Sequence, residues 1–351
     1  MNKVAIIGSH GLYANYGGWD QLVNNLAERK TVNINYLIFN SNESARNKVP
    51  PNGVKIIRIG LKASGFQGLF FDFWTILISF FKVNTILLLG VQGIPIIPFL
   101  NLFKKTKIIS NVGGVEWERP KFGFFSKRYL RFCFNLSFKY SKAVILDNEY
   151  YLEFVPKNSK AIIEIISYGG EIDISLRISN KIRDKFPFIV SNYFLSISRS
   201  LKDNLLDELC ESFIGSKHTL VLISNLTNSV YGNMVYNKYI NEPNIVLING
   251  LYIKPELDLL RRTCTAYIHT HTLCGTAPSL VEMIISQRPI ISIDIPQNRF
   301  TLKNQAFFYS SFSEIQDLIN SKNDLSEYIP SFEICKLYDW NKIVLDYEKL
   351  Y

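Results

Sequence analysis

From Ala266 to Arg299 the chain reads AYIHTHTLCGTAPSLVEMIISQRPIISIDIPQNR, and this segment restricts the fold more than any other. A short apolar run (Ala266–His271) leads through a small-residue loop (Cys274–Pro278) into a helical pattern (Ser279–Ser286) and a second apolar run (Pro289–Asp294). Strand, tight loop, helix and strand in that order make the unit of a parallel α/β sheet. Pro278 has a φ suited to a first helical turn, and Ser279 with Glu282 has the spacing of a capping box. Where such a helix opens, its unpaired N–H groups and positive dipole end attract an anion, phosphate above all. Glu282 can also reach toward a ribose hydroxyl of a nucleotide held there. The bland alternative is a plain cap on an ordinary strand–helix turn, because one Gly loop before a helix is weak evidence.

The N-terminus carries a similar element. Lys3–Ile7 reads as a buried parallel strand, followed by Gly8-Ser-His-Gly11 and Asn15-Tyr-Gly-Gly18; Leu22, Val23 and Leu26 then share one face of a helix. These glycines permit positive φ and a close approach of backbone to a ligand. Their spacing is not G-x-G-x-x-G and the helix begins too late for that fingerprint, which disfavours a nicotinamide enzyme.

Apolar runs alternate with helical patterns throughout. Strands are expected at Val4–Ile7, Asn35–Phe39, Lys55–Ile59, Thr85–Leu89, Lys107–Asn111, Ala143–Leu146 and Ala161–Ile166. A second series is expected at Tyr193–Ile197, Thr219–Ser224, Ile245–Ile248, Ala266–His269 and Pro289–Ile293. The 351 residues suffice for two cores. The expected division is a domain over 1–171, a polar linker over 172–188, a domain over 189–331 and a helical tail over 332–351.

The run IIGSHGLYANYGGWDQLVNNLAE resembles the opening of bacterial GT-B glycosyltransferases of the family 4 type, and within them a rhamnosyltransferase-like subgroup. The later runs NVGGVEWERPKFGFFSKRYLRF, ISYGGEID, SISRSLKDN and HTHTLCGTAPSLVEM match further blocks of that subgroup in the same order. The resemblance runs from Lys3 to Arg299. It implies an α/β GT-B fold of two Rossmann-like domains facing across a cleft, with a final helix crossing back to the first domain.

Charge is divided unevenly. Through Arg177 there are 22 Lys and Arg against 12 Asp and Glu, whereas the remainder carries 17 against 18. The net positive charge therefore belongs to the first half, which suits an anionic partner. The stretch Arg119–Phe132 interleaves bases with aromatics, a composition suited to the lipid headgroup zone. Its membrane-contact candidates are Lys121, Phe124, Phe125, Lys127, Arg128 and Arg131; the alternative is a partly buried helix with a solvated basic face. No nucleic-acid module is recognised, so nucleic acid is not expected as a partner. Leu69–Leu100 is very apolar, but Asp72, Lys82, Asn84 and the later Gly and Pro residues interrupt it. It reads as a core helix, a buried strand and a loop into the next helix, not as a span. The first residues form a strand, which leaves no signal peptide, and the five cysteines form no CxxC pair. The expected location is cytoplasmic, peripheral on the inner face of the bacterial membrane.

The chemistry implied by the resemblance is transfer of a sugar from a nucleotide diphosphate, with protein donors stabilising the departing diphosphate. Donor-binding candidates are Tyr16, Gly17, Gly18, Arg199, Asn204, His271, Gly275, Thr276, Ser279 and Glu282. Arg199 matches a base that contacts the diphosphate, although it is also readable as a surface ion-pair residue. Asn204 stands where many relatives have Lys. Gly17 and Gly18 would close on the diphosphate from the first domain. Two positions depart from the pattern: Cys274 replaces the first Glu of a two-glutamate motif, where the subgroup has Gly, and Gly113 stands where the subgroup has Asp. Glu116, Asp20 and His10 are the candidates to activate the acceptor.

His269 and His271 alternate on a strand end and so should point to opposite faces, which argues against a shared metal. No metal and no bound cofactor are expected. The resemblance implies a retaining, metal-independent transfer, with dTDP-L-rhamnose as favoured donor and a polyprenyl-diphosphate-linked oligosaccharide as acceptor, in O-antigen or capsule synthesis. UDP-galactose, UDP-glucose and GDP-fucose remain open as donors. So do a GT-B epimerase or phosphorylase and a non-catalytic GT-B scaffold. Oligomeric state is not readable from the sequence.

Overall fold

The computed structural model describes residues 2–14, 17–44, 48–119, 122–321 and 324–351. The chain forms two compact units, Met1–Gly169 with Trp340–Tyr351, and Gly170–Asp339.

The first unit contains a parallel sheet of β1 (Asn2–Ile7), β2 (Ile34–Asn40), β3 (Val54–Arg58), β4 (Thr85–Leu89), β5 (Lys107–Gly113), β6 (Ala143–Leu146) and β7 (Ile162–Ile165), in the order β3-β2-β1-β4-β5-β6-β7. Strands β1, β4, β5 and β6 are apolar on both faces because both are covered. Val4, Ile6, Leu87, Leu89 and Ile109 pack under α1 (Gly18–Arg29). Ala5, Ile7, Ile86, Leu88 and Ile108 pack under α2 (Gly65–Phe80), α3 (Ile97–Leu100) and α4 (Phe124–Tyr140). The segment of α2 read from sequence as a core helix is buried along Phe71, Thr75, Ile76 and Phe80, but its opposite face is open.

The second unit is built the same way, from β8 (Tyr193–Ile197), β9 (Thr219–Ser224), β10 (Ile245–Asn249), β11 (Ala266–His269), β12 (Ile290–Ile293) and β13 (Phe307–Tyr309), in the parallel order β10-β9-β8-β11-β12-β13. Its helices are α5 (Asn180–Lys185), α6 (Leu206–Glu211), α7 (Val230–Tyr239), α8 (Lys254–Thr263), α9 (Pro278–Ile285), α10 (Pro296–Leu302), α11 (Phe312–Ser321) and α12 (Phe332–Leu337). The chain then returns to the first unit through α13 (Trp340–Glu348). There Trp340, Ile343, Val344 and Tyr347 join the core beneath α1, and Asn111 Nδ2 donates to the Tyr347 hydroxyl at 2.6 Å.

Three expectations about organisation differ from what is seen. Residues 172–188 are not a free linker, because α5 places Ile182 and Phe186 in the core of the second unit. The tail does not cross back as one piece: α12 belongs to the second unit and only the chain from Trp340 returns. Strand β13 was not expected, being a three-residue edge strand too short to show a pattern.

Candidate functional site

Ligands of open parallel sheets bind beyond the carboxyl ends of the strands where the strand order reverses. In the second unit that point lies between β8 and β11. The loop after β8 carries Arg199 and Asn204, and the loop after β11 runs through Gly275 and Thr276 into α9. The two loops are stitched together. Thr270 Oγ1 donates to the Asn204 carbonyl at 2.5 Å, and Thr272 donates to the Asp203 carbonyl through Oγ1 at 2.8 Å and through its N–H at 3.0 Å. The side chain of Asn204 is buried and donates to the carbonyl of Arg199 at 2.7 Å, so it braces the loop. Arg199 itself is exposed, and no ion pair holds it among the described residues.

Helix α9 begins at Pro278, with Ala277 as an N-cap that makes no side-chain cap. The capping box is therefore absent. Pro278 sets the helix start two residues earlier than the capping-box spacing implied, so Ser279 lies inside the first turn. Glu282 turns instead to Arg261 of α8, forming an ion pair with its Nη2. Arg261 is 3% exposed and also donates through Nη1 to Asp258 at 2.6 Å. Asp258 is fully buried and accepts in addition from Lys254 Nζ at 2.6 Å and the Asp173 N–H at 2.8 Å. Burial pushes the Glu282 carboxyl up, with Arg261 pulling the other way. Thr276 is buried, Gly275 half-buried, and neither needs a left-handed backbone.

The two histidines do not point to opposite faces. Strand β11 stops at His269, alternation stops with it, and the rings of His269 and His271 meet edge to face with centroids 4.4 Å apart. The ligating atoms of His269, His271 and Cys274 all lie within 4.8 Å of one another. The premise that excluded a shared metal is thus overturned. Two imidazoles and a thiol form a set that zinc accepts, although among the described residues the group ends at three. His269 is fully buried, and burial, aided by the neighbouring His271, holds its pKa well below the usual value.

In the first unit the strand order reverses between β1 and β4. Gly8 (φ +98°) follows β1, and a Cβ there would lie 2.0 Å from the Leu89 carbonyl oxygen at the end of β4. Gly17 is different. It is the N-cap of α1 with extended backbone, and a Cβ on it would meet none of the described residues within 4 Å. Gly18 is the first residue of the helix, so the helix begins at the glycines rather than after them. Tyr16 and Lys121 lie outside the described residues.

His10 and Asp20, read as alternatives, form one assembly. Buried Asp20 accepts from the His10 N–H at 3.0 Å through Oδ1, and its Oδ2 lies 3.3 Å from His10 Nδ1. Glu43, which the sequence did not suggest, lies 3.6 Å from His10 Nε2. The bond to Asp20 raises the His10 pKa above its usual value against the effect of burial. Glu116 occupies a turn after β5 and pairs with Arg119 at 2.9 Å. Its charge and that of Asp20 both act on the buried Tyr168 hydroxyl, whose pKa rises well above normal, chiefly through burial. Gly113 adopts φ +65° at the end of β5, a conformation glycine takes at no cost.

Trp19 is a further residue that the sequence marked only as an aromatic after two glycines. Its ring lies against Gly90 and Gly113, 3.0 and 3.3 Å from where their Cβ atoms would be, across the ends of β4 and β5. Its Nε1 is buried with no hydrogen-bond partner among the described residues. On α4, Phe124, Phe125, Arg128 and Arg131 are exposed and Lys127 is half-buried.

Residues 1–171 match the family model described as "Domain of unknown function (DUF1972)". No curated protein matches significantly. Among solved structures the chain is similar to sucrose-phosphate synthase from Thermosynechococcus elongatus, with TM-score 0.78 and 12% identity over 100% of this chain and 98% of that one. It is also similar to Anabaena HepE in complex with UDP-glucose (TM-score 0.74, 12% identity, 99% of both chains). Trehalose-6-phosphate synthase OtsA is a third (TM-score 0.77, 11% identity, 100% of this chain and 99% of that one). The class defined by these likenesses is the GT-B fold, two parallel Rossmann-like α/β units spanning the whole chain.

Proposed function

We propose that the chain is a glycosyltransferase that takes a sugar from a nucleoside diphosphate donor held at the β8/β11 crevice. The observation carrying this reading is the convergence there of three anion-binding elements on one fold. These are the exposed Arg199, without an ion pair among the described residues, the small-residue loop Cys274–Ala277 and the open start of α9. Arg199 and the helix N-terminus would stabilise charge on the departing diphosphate, which is the main electrostatic demand of the reaction. Glu282, fixed by Arg261, is the candidate for the ribose, and His271 for a donor contact. On the first unit, Gly17 and Gly18 offer backbone that a diphosphate can approach. His10, oriented by Asp20, is the leading candidate to position the acceptor hydroxyl, with Glu116 second.

In its finer form the donor is dTDP-L-rhamnose and the acceptor a polyprenyl-diphosphate-linked oligosaccharide of a surface polysaccharide, met at the cytoplasmic membrane face. The transfer is retaining, with protein donors in place of a metal. The solved neighbour HepE in complex with UDP-glucose keeps UDP-sugars in the comparison. Calorimetric titration with dTDP, UDP and GDP and their sugar conjugates tests the reading. Binding of dTDP-rhamnose, weakened at least tenfold by Arg199→Ala, supports it. A preference for UDP- or GDP-sugars replaces the donor. Silence from all of them in folded protein refutes the transferase and favours the scaffold to which Cys274 and Gly113 point.

A further inference from the structure

Helix α2 has two apolar faces. The inner one packs on the sheet, while Phe66, Phe70, Trp74 and Leu77, with Phe81 just beyond the C-terminus, form an outer stripe at intervals of four, four, three and four residues. Phe66 is 79% exposed and Trp74 53%. Such a stripe is unusual on a protein that meets only water.

Two neighbouring elements on the same face of the sheet continue it. After α3, Leu102 and Phe103 are 81% and 77% exposed, and the chain then runs into Lys104 and Lys105. This segment is tied to the end of α2 by Thr106 Oγ1, which donates to the Phe80 carbonyl at 2.8 Å. On α4, Phe125 is 85% exposed beside Arg128 and Arg131. That helix is joined to the preceding loop by the Tyr129 hydroxyl, which donates to the Gln92 carbonyl at 2.7 Å.

The exposed charge along α2, the segment after α3 and α4 has one sign, while Glu116 and Glu118 stand in the turn between β5 and α4, where Glu116 is paired with Arg119. From Ser44 to Val115 the only acidic residue is Asp72, which is buried on α2, and from Arg119 to Leu146 there is none. Lys82, Lys104, Lys105, Arg128 and Arg131 are exposed along it.

We infer that the α2–α3–α4 face of the first unit is a monotopic docking surface for an anionic lipid bilayer. The aromatic stripe of α2 enters the headgroup–acyl boundary and the lysines and arginines meet lipid phosphates. Rings at insertion depth flanked by cations, on helices with no exposed carboxylate, complement an anionic membrane. A second copy of the chain fits poorly, because face-to-face pairing would oppose cation to cation. The 16 residues of α2, held to the sheet along one side, lie in the interface plane rather than cross it. The inference deepens the reading of a membrane-borne acceptor and rests on that reading only for the purpose of docking.

The test uses the full chain with vesicles of phosphatidylcholine alone and with about one third phosphatidylglycerol. Sedimentation with vesicles and the emission of Trp74 are read out, with Trp74→Phe as the spectral control. The expected result is binding to anionic vesicles that weakens with salt, with a blue shift lost in Trp74→Phe. Phe66→Ser with Phe70→Ser should reduce binding at least tenfold, and so should Lys82→Glu with Lys105→Glu. These four side chains are exposed, so both variants keep the wild-type melting temperature. No binding by folded wild-type protein, or unchanged binding of both variants, overturns the inference. A concentration-dependent dimer abolished by the stripe variant, without vesicle binding, gives the face to a second copy and also overturns it. Nucleotide-sugar titration of the same variants separates the two readings. Donor binding without vesicle binding removes the surface alone, and vesicle binding without donor binding removes the transferase alone.

Discussion

Glu282→Ala separates a structural role from a ligand role at one carboxylate. In the folded protein Glu282 pairs with Arg261, whose guanidinium is almost wholly buried. Removing one partner of a buried pair typically costs about 3–5 kcal/mol, because the other charge is stranded. Here Arg261 keeps Asp258 on Nη1 at 2.6 Å, so only one arm of the guanidinium loses its acceptor. The cost should therefore be nearer that of a single hydrogen bond to a charged group, about 2 kcal/mol. For a unit of this size that is a fall in melting temperature of about 4–8 °C. Urea denaturation of the wild type, Glu282→Ala, Arg261→Met and the double variant measures it. If the pair is the cause, the double variant is more stable than the sum of the singles by at least about 1 kcal/mol. A loss below about 0.5 kcal/mol, or strict additivity, refutes the reasoning. Donor affinity is then read independently: an unchanged Kd in folded Glu282→Ala defeats the ribose role without bearing on the structural role of the ion pair.

Gly8→Ala should prevent stable folding of the first unit, since its Cβ would meet the Leu89 carbonyl at 2.0 Å. Gly17→Ala should cost about 1 kcal/mol, the loss of a glycine N-cap, and in folded protein weaken nucleotide binding as well, because its Cβ would stand where a ligand approaches the backbone. For His10, a folded pKa raised by Asp20 means its pairing stabilises the protein below the unfolded value and fades as pH rises through the folded one. Asp20→Asn should bring the ring's titration down, as followed by the NMR shift of its Cε1 proton; no movement removes the coupling. For His269 the sign is opposite. Held neutral by burial when folded, it binds its proton first in the unfolded chain, so stability is complete above about pH 6.5. Below that pH, stability falls by up to about 1.4 kcal/mol per unit. His269→Asn should flatten this slope in urea titrations between about pH 6.5 and 5, and a persisting slope assigns it to another group.

The sequence placed twelve of the strands seen here, because an apolar run buried on both faces is a local property of consecutive residues. It marked the glycine turn after β1 and the loop into α9 for the same reason: backbone conformation and helix starts are set within a few residues. What it misread depends on partners far along the chain. The capping box at Ser279 is absent because the helix already starts at Pro278, and its Glu282 is taken instead by Arg261 on another helix. The histidine rings meet because β11 ends at His269, which is decided by its pairing with β12, not by the alternation of His-Thr-His. Asn204 spends its side chain on the Arg199 carbonyl, and His10 and Asp20 became one pair instead of two alternatives. Hydropathy made α2 a core helix because it counts apolar residues without direction. Only packing on the sheet decided which half of them is covered and which half faces outward.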